Sequence, residues 1–221
     1  MDRGQADVIV AGGGIAGICA AIELLGRGRR VLLLDRDAEE SLGGLAKEGF
    51  GGGWVAGTPL QRRYGIRDSA ALGLADWLAF GEIPPADRWP RAWAEAYVER
   101  CVPEVYDWLL AQGLEFMPMP MWVERGLHVP GNSVPRWHIV WGTGHELAVV
   151  LAQRMLGHPK RDLLDLRFGC RVDGFFTSQG RVAGCRGVIE ATGVPFEATA
   201  EAVVIAAGGI NGDLDRVRQH W

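Results

Sequence analysis

The sequence has no lysine- and arginine-rich run, and its net charge of −4 at pH 7 is mild. Nucleic acid and anionic membranes are therefore not expected as partners. No segment approaches the roughly 18 uninterrupted apolar residues that cross a bilayer. The opening residues, MDRGQADVIVAGGG, lack a charged segment followed by an apolar stretch and a small-residue cleavage site, so no signal peptide is expected. Cys19, Cys101, Cys170 and Cys185 form neither a CxxC pair nor a Cys/His cluster of zinc spacing. No metal is expected, and the thiols read as reduced, small apolar side chains of a cytoplasmic protein. Internal repeats are also lacking.

What the chain has in excess is glycine, 32 residues in 221, well above ordinary usage. The glycines come in short clusters, which points to tight turns and close backbone approach to a ligand rather than to low complexity. Nearly half the residues are apolar, enough for a sizeable core in one large domain or two small ones.

Residues 6–11 are a short apolar run of the kind buried on both faces of a parallel sheet. A helical pattern follows from Ile15 to about Gly28, and residues 30–35 read as a second buried strand ending in Asp35. From Arg36 to Gly57 the chain is glycine-rich with little periodicity. Residues 68–81 and 88–113 read as helices, the second divided or kinked at Pro103. A looping stretch from about Met117 to Gly144 precedes a helix over 145–156, with Thr143 as candidate N-cap. Strands are expected over 163–168, 170–178, 181–190, 195–199 and 202–209, with Ser178-Gln179-Gly180 as a hairpin turn and a short helix running to Trp221.

Gly12-x-Gly14-x-x-Gly17 lies between the first strand and the first helix. Gly12 permits the tight turn, Gly14 lets a diphosphate approach the backbone, and Gly17 lets the helix pack close to the strand. The free N–H groups and positive dipole end of that helix then face the phosphates. Asp35 closes the next strand 18 residues after Gly17, where a carboxylate accepts from ribose hydroxyls and repels a 2′-phosphate. The unit fits the ADP half of a dinucleotide, and by itself it leaves FAD and NAD open. The residues after it favour FAD. Gly43-Gly44 and Gly49 to Gly53 continue as glycine-rich chain where a nicotinamide dehydrogenase would start another helix.

The stretches DVIVAGGGIAG (7–17), RVLLLDRD (30–37), the Gly43-Gly44 pair with its trailing FGG, GNSVPRWHIVWGTG (131–144), RVDGF (171–175) and VVIAAGGINGD (203–213) span nearly the whole chain. In them the sequence resembles the N-terminal part of FAD-dependent oxidoreductases related to fumarate reductase flavoproteins and 3-ketosteroid dehydrogenases. The closest likeness is to the subgroup of FAD-binding dehydrogenases. The first and last stretches are common to many flavoproteins, and 131–144 is the more specific one. The resemblance implies an α/β, Rossmann-like FAD-binding domain with a central parallel sheet, a β-meander and a helical insertion. It places Gly12, Gly13, Gly14, Ile15, Ala16 and Gly17 at the pyrophosphate, and Asp35 with Arg36 at the adenosine ribose. Gly43, Gly44 and Ala46 would line the diphosphate and flavin side, the Val172 backbone the adenine edge, and Ala206, Ala207 and Gly208 would return the last strand against the cofactor. Relatives carry aromatic and hydroxyl residues where this chain has Lys47-Glu48-Gly49. No histidine closely follows Gly44, so FAD is expected to bind without a covalent link.

On this reading residues 1–57 are the βαβ unit and flavin-approach loop, 58–145 a mainly helical insertion, and 146–221 a helix, the meander and the returning strand. The substrate cap and a last glycine-rich FAD segment of such enzymes are not in the sequence. The expectation is a shortened FAD-dependent oxidoreductase moving hydride between flavin and a small apolar carbonyl or CH–CH substrate. The alternatives are a non-catalytic FAD-binding piece, one chain of a split enzyme completed by a second chain, and, ranked last, an NAD-dependent dehydrogenase. Catalytic candidates are Arg136, to polarise a carbonyl or carboxylate, and His138, to relay a proton, because residues two apart in extended chain share a side. An arginine and a histidine in a proline-rich loop are more often packing or surface residues. Trp77, Trp93, Tyr97 and Trp108 read as core, and Trp122, Trp137 and Trp141 as candidate walls of an apolar pocket.

Overall fold

The computed structural model describes residues 6–220; the first five residues and Trp221, the expected end of the last helix, lie outside the described residues. In chain order come β1 (Ala6–Ala11), α1 (Ile15–Gly26), β2 (Val31–Leu34), β3 (Gly52–Trp54), α2 (Pro59–Arg63), α3 (Ala70–Phe80) and α4 (Arg88–Arg100). A π-helical turn (Cys101–Tyr106) leads into α5 (Asp107–Ala111). Then follow β4 (Trp137–Ile139), α6 (Thr143–Leu156), β5 (Leu164–Arg167), β6 (Cys170–Ser178), β7 (Arg181–Ile189), β8 (Pro195–Ile205) and α7 (Leu214–His220).

The chain divides into two compact units, Met1–Ala46 with Leu151–Trp221, and Lys47–Val150. The first holds a six-stranded sheet in the order β5-β2-β1-β8-β7-β6. β5, β2, β1 and β8 are parallel, and β8, β7 and β6 form an antiparallel meander. Ile9, Leu32 and Leu34 face one side, packed with Cys170, Cys185 and Ala200 of the meander. With both faces covered, the strands read as continuous apolar runs instead of alternating ones. α1 buries Ile18, Ala21, Ile22 and Leu25 along one stripe; each of its large apolar side chains contributes about 1.5–3 kcal/mol by leaving water.

β8 is one strand of 11 residues where two were expected. Its first half pairs with β7 (Pro195 with Val188, Thr199 with Gly184) and its second half with β1 (Ala200 with Ala6, Ile205 with Ala11). The sequence changes character at that change of partner, which is why it reads as two strands. Gln179 and Gly180 both take positive φ, 52° and 76°, as a tight hairpin turn requires.

The second unit joins the helices to a small antiparallel pair, β3 with β4. Neither strand was expected. Gly52 weakens the strand pattern because nothing larger fits: a Cβ there would stand 2.9 Å from Trp137 and 2.9 Å from Ile139 side-chain atoms. The chain does divide at Pro103, through the π-helical turn. Thr143, expected as a cap, is instead the first helical residue, with φ of 65°. Trp77 packs against Trp54 (5.1 Å between centroids) and Tyr97 (5.5 Å), but Trp93 is 74% exposed and is not core.

Candidate functional site

The glycine loop is built from three backbone approaches. Gly12 takes φ of 113°, and a Cβ on it would overlap the Ala206 carbonyl. Ala206 in turn donates its N–H to the Ala11 carbonyl at 2.8 Å, so the chain leaving β8 runs past the loop. A Cβ on Gly17 would overlap the Gly12 carbonyl, and its absence is what seats α1 against the turn. At Gly14 the situation is the opposite. Nothing stands within 4 Å of where its Cβ would be. In a glycine motif of this spacing, the second glycine is the one whose open face lets a ligand approach the backbone.

α1 starts at Gly14 with no side-chain cap and no acidic residue in its first turn. Its first N–H groups have no intrahelical acceptor, and with the dipole they favour an anion. Gly43 bridges to Gly14 in parallel fashion and donates to the Gly13 carbonyl at 2.9 Å. Gly44 lies so close that a Cβ would be 3.3 Å from the Gly14 Cα. The two glycine clusters, 27 residues apart along the chain between Gly17 and Gly44, thus form one surface.

Asp35 closes this surface. Its Oδ2 accepts the Gly13 N–H at 2.5 Å and its Oδ1 the Asp37 N–H at 2.8 Å. A carboxylate oxygen has two acceptor sites, so each oxygen keeps one for a sugar hydroxyl. Arg36 is exposed and faces Glu190 at 3.3 Å. Ile15 and Ala16 sit in the first helical turn, half-buried and exposed respectively. Ala46 is half-buried in a short 3₁₀ turn (Gly44–Glu48). Val172 lies on β6, one of the sheet's two edge strands. Ala207 and Gly208 follow β8 beyond its end rather than belonging to it, and Gly208 has φ of 79°. The cradle of Gly12 to Gly17, Asp35, Gly43, Gly44 and Ala206 is brought together. The open position at Gly14 and the uncapped helix start fit a diphosphate, and the free acceptor sites of Asp35 fit a ribose.

Arg136 and His138, the expected catalytic pair, belong to the second unit, where both side chains are buried. Arg136 has no exposed surface. Its Nε and Nη2 bind Asp68 in a fork at 2.9 and 2.8 Å, and its Nη1 binds Asp76 at 2.5 Å and Asn132 at 3.0 Å. The guanidinium also lies over Trp54, 5.2 Å from the ring centroid. Burial opposes the charge on Arg136, but the hydrogen bonds and fields of the two aspartates outweigh it and push the guanidinium's pKa up. For Asp76, burial likewise works against ionisation, and the bonds from Ser133 and Arg136 overcome it, holding the carboxyl below its usual range.

His138 is 1% exposed. Its Nδ1 is 2.7 Å from the Arg136 carbonyl, which can only accept, so Nδ1 carries the proton. Nε2 is then the acceptor for the Thr58 hydroxyl at 2.8 Å. Tyr106 and Phe116 enclose the ring edge-on. Burial lowers the imidazole pKa, against the opposing effects of the Arg136 carbonyl and Asp68. Arginine and histidine do share a side, as expected, but that side is the interior. They fasten segment 131–140 and cannot meet a substrate while buried and fully bonded.

Sequence reading missed Thr58, Gln61, Asp68 and Asp76. Thr58-Pro59-x-Gln61 carried a signal, the capping-box spacing with proline at the first helical position, and the structure has both bonds of that box. The aspartates carried none, since their partner is some 60–68 residues away. Trp122 and Trp137 are tied through their indole N–H groups to Asn132 and Glu124, while Trp141 is 60% exposed. Among the described residues no group of three or more His, Cys, Asp or Glu is placed to hold a metal ion. No described helix is long and apolar enough to cross a membrane.

Comparison with known proteins bears on the cofactor. A family model described as FAD binding domain matches residues 7–221. A KsdD-like steroid dehydrogenase of Mycolicibacterium smegmatis is 44% identical over 236 aligned positions, covering 98% of this chain and 42% of that protein. The crystal structure of 3-ketosteroid-Δ4-(5α)-dehydrogenase from Rhodococcus jostii RHA1, in complex with 4-androstene-3,17-dione, superposes with a TM-score of 0.78 at 26% identity, over 99% of this chain and 49% of that one. A flavocytochrome c3 fumarate reductase shares the fold with a TM-score of 0.79 at 21% identity, over 98% of this chain and 36% of that one. The chain thus spans less than half the length of each of these relatives.

Proposed function

From the premise that this chain belongs to the FAD binding domain family, we propose that it serves an FAD-dependent oxidoreductase acting on an apolar, steroid-like carbonyl or CH–CH substrate. FAD is the cofactor of the family, and bound FAD supplies the hydride acceptor or donor. The chain's own residues do the holding. The first-turn amides of Ile15, Ala16 and Gly17 and the open face of Gly14 take the diphosphate. Asp35 takes the adenosine ribose, and Gly43 and Gly44 extend the surface beyond the phosphates. No covalent link to the flavin is included. The observation that carries the reading is the empty space at Gly14, a glycine whose own chain leaves it room for a side chain.

The substrate class rests on the likeness to a mycobacterial KsdD-like steroid dehydrogenase and on the steroid in the Rhodococcus structure. Proton transfer is not assigned to Arg136 or His138. The four free cysteines are consistent with a reducing compartment, and we place the protein in the cytoplasm.

The test is a spectrum of the protein as purified and after incubation with FAD, followed by mass analysis of the released cofactor. A flavin band and FAD are expected. Protein that stays colourless after incubation overturns the reading.

A further inference from the structure

Resting on the cradle reading above, we infer that Glu190 is a specificity-determining residue: it occupies the Arg36 guanidinium and so keeps the adenosine end of the site closed to 2′-phosphorylated nucleotides. Arg36 follows the residue that grips the ribose. A guanidinium beside the ribose is the group that sites for 2′-phosphorylated dinucleotides use, because its planar fork matches a phosphate. In this chain that guanidinium already faces two carboxylates. Arg36 Nη2 stands 3.3 Å from Glu190 Oε1, and its Nε 3.9 Å from Asp37 Oδ1. The other oxygen of Glu190 lies 3.4 Å from Arg171, which also binds Asp173 at 2.7 Å. Asp37, Asp173 and Glu190 therefore stand against two guanidiniums, a local balance of −1, and the Asp35 carboxylate adjoins them through the Asp37 amide.

Glu190 is held in place by backbone rather than by the ion pair itself. Its N–H donates to the Gly169 carbonyl at 2.8 Å, the Gly169 N–H to the Asp37 carbonyl at 3.0 Å, and the Cys170 N–H to the Asp35 carbonyl at 2.7 Å. The end of β7 is thereby laced to the end of β2, which keeps the Glu190 backbone within side-chain reach of Arg36. The Arg36 side chain is 64% exposed and that of Glu190 31%. Water screens the pair, so its effect is modest, but a released Arg36 is exposed enough to meet a ligand.

The experiment is calorimetric titration of the full chain with 5′-ADP and with 2′,5′-ADP, thermal melts showing that each variant is folded. The unsubstituted protein should prefer 5′-ADP. Glu190→Gln should shrink that preference about three- to fivefold, the size of an exposed ion pair, with 5′-ADP affinity nearly unchanged. Adding Arg36→Ala to Glu190→Gln should restore the preference. Glu190→Ala is the second variant and should act like Glu190→Gln. A preference that moves in neither Glu190 variant overturns the inference and leaves the cradle standing. If the unsubstituted protein binds neither 5′-ADP nor FAD, the cradle reading itself falls, and this inference with it.

Discussion

Gly13 donates its amide hydrogen to Asp35 across 2.5 Å, and this bond ties the glycine loop to the residue proposed to hold the ribose. The same peptide's carbonyl accepts from Gly43 at 2.9 Å. One residue between two motif glycines therefore links three segments that are far apart in sequence. Asp35→Ala removes the acceptor for both the Gly13 and Asp37 amides. It should cost about 1–3 kcal/mol of stability in a urea titration. It should also weaken ADP binding, measured by calorimetry, because the ribose loses its partner.

Gly14→Ala and Gly17→Ala should separate binding from folding. A Cβ on Gly14 meets nothing in the protein, and Gly14 has an ordinary φ of −73°. The variant should melt within about 1 kcal/mol of the parent, the scale of a changed helix N-cap, yet lose FAD affinity about tenfold or more as the methyl intrudes on the phosphate. A Cβ on Gly17 overlaps the Gly12 carbonyl, so that variant should lose about 1–3 kcal/mol and FAD binding together. Equal FAD affinity in Gly14→Ala and the parent would contradict the assignment of the open space to a ligand.

Arg136→Met should be among the most damaging single changes in the second unit. It strands the Asp68 carboxylate, which has no exposed surface, and the mostly buried Asp76 carboxylate. Removing one partner of a buried ion pair costs about 3–5 kcal/mol. Arg136→Lys should fall between, since an ammonium cannot reproduce the fork on Asp68. Chemical denaturation measures both. The effect on a catalytic rate should be no larger than the loss of folded protein explains.

Stability should fall as the pH drops below about 6.5, the unperturbed histidine value. The folded state depresses the pKa of His138 by burial, so between that folded value and 6.5 the unfolded chain binds more protons. Stability is then full above 6.5 and is lost as pH falls through that window. The ring touches Thr58, the Arg136 carbonyl, Tyr106 and Phe116, and the nearby Asp68 carboxylate, itself paired with Arg136, offsets the burial only in part. Melts from pH 8 to 5 should show the decline, and His138→Asn should start lower but decline less over the same range. Asp76 acts at more acid pH. Its pKa is depressed below 3.8, so its contribution is present above that value and is lost as pH falls further.

The sequence by itself determined the cradle. β1, α1 and β2, the glycine spacing and Asp35 follow one another within 35 residues, so their geometry is set by local turns and by apolar runs buried on both faces. The meander was legible for the same reason, its Gln179-Gly180 turn being local. Tertiary structure decided the rest. Only packing shows that Gly52 is a strand residue lying under Trp137 and Ile139, that β8 changes partner at Ala200, and that Arg136 and His138 point inward. A proline-rich segment with an arginine and a histidine has the composition of an exposed loop. Its burial depends on Asp68, Asp76 and Thr58, which reach it from distant positions. Glu190 meets Arg36 by the same kind of long-range accident of the fold. A charge's role depends on which opposite charge the folded chain sets beside it, and residue spacing along a strand or helix carries no record of that partner.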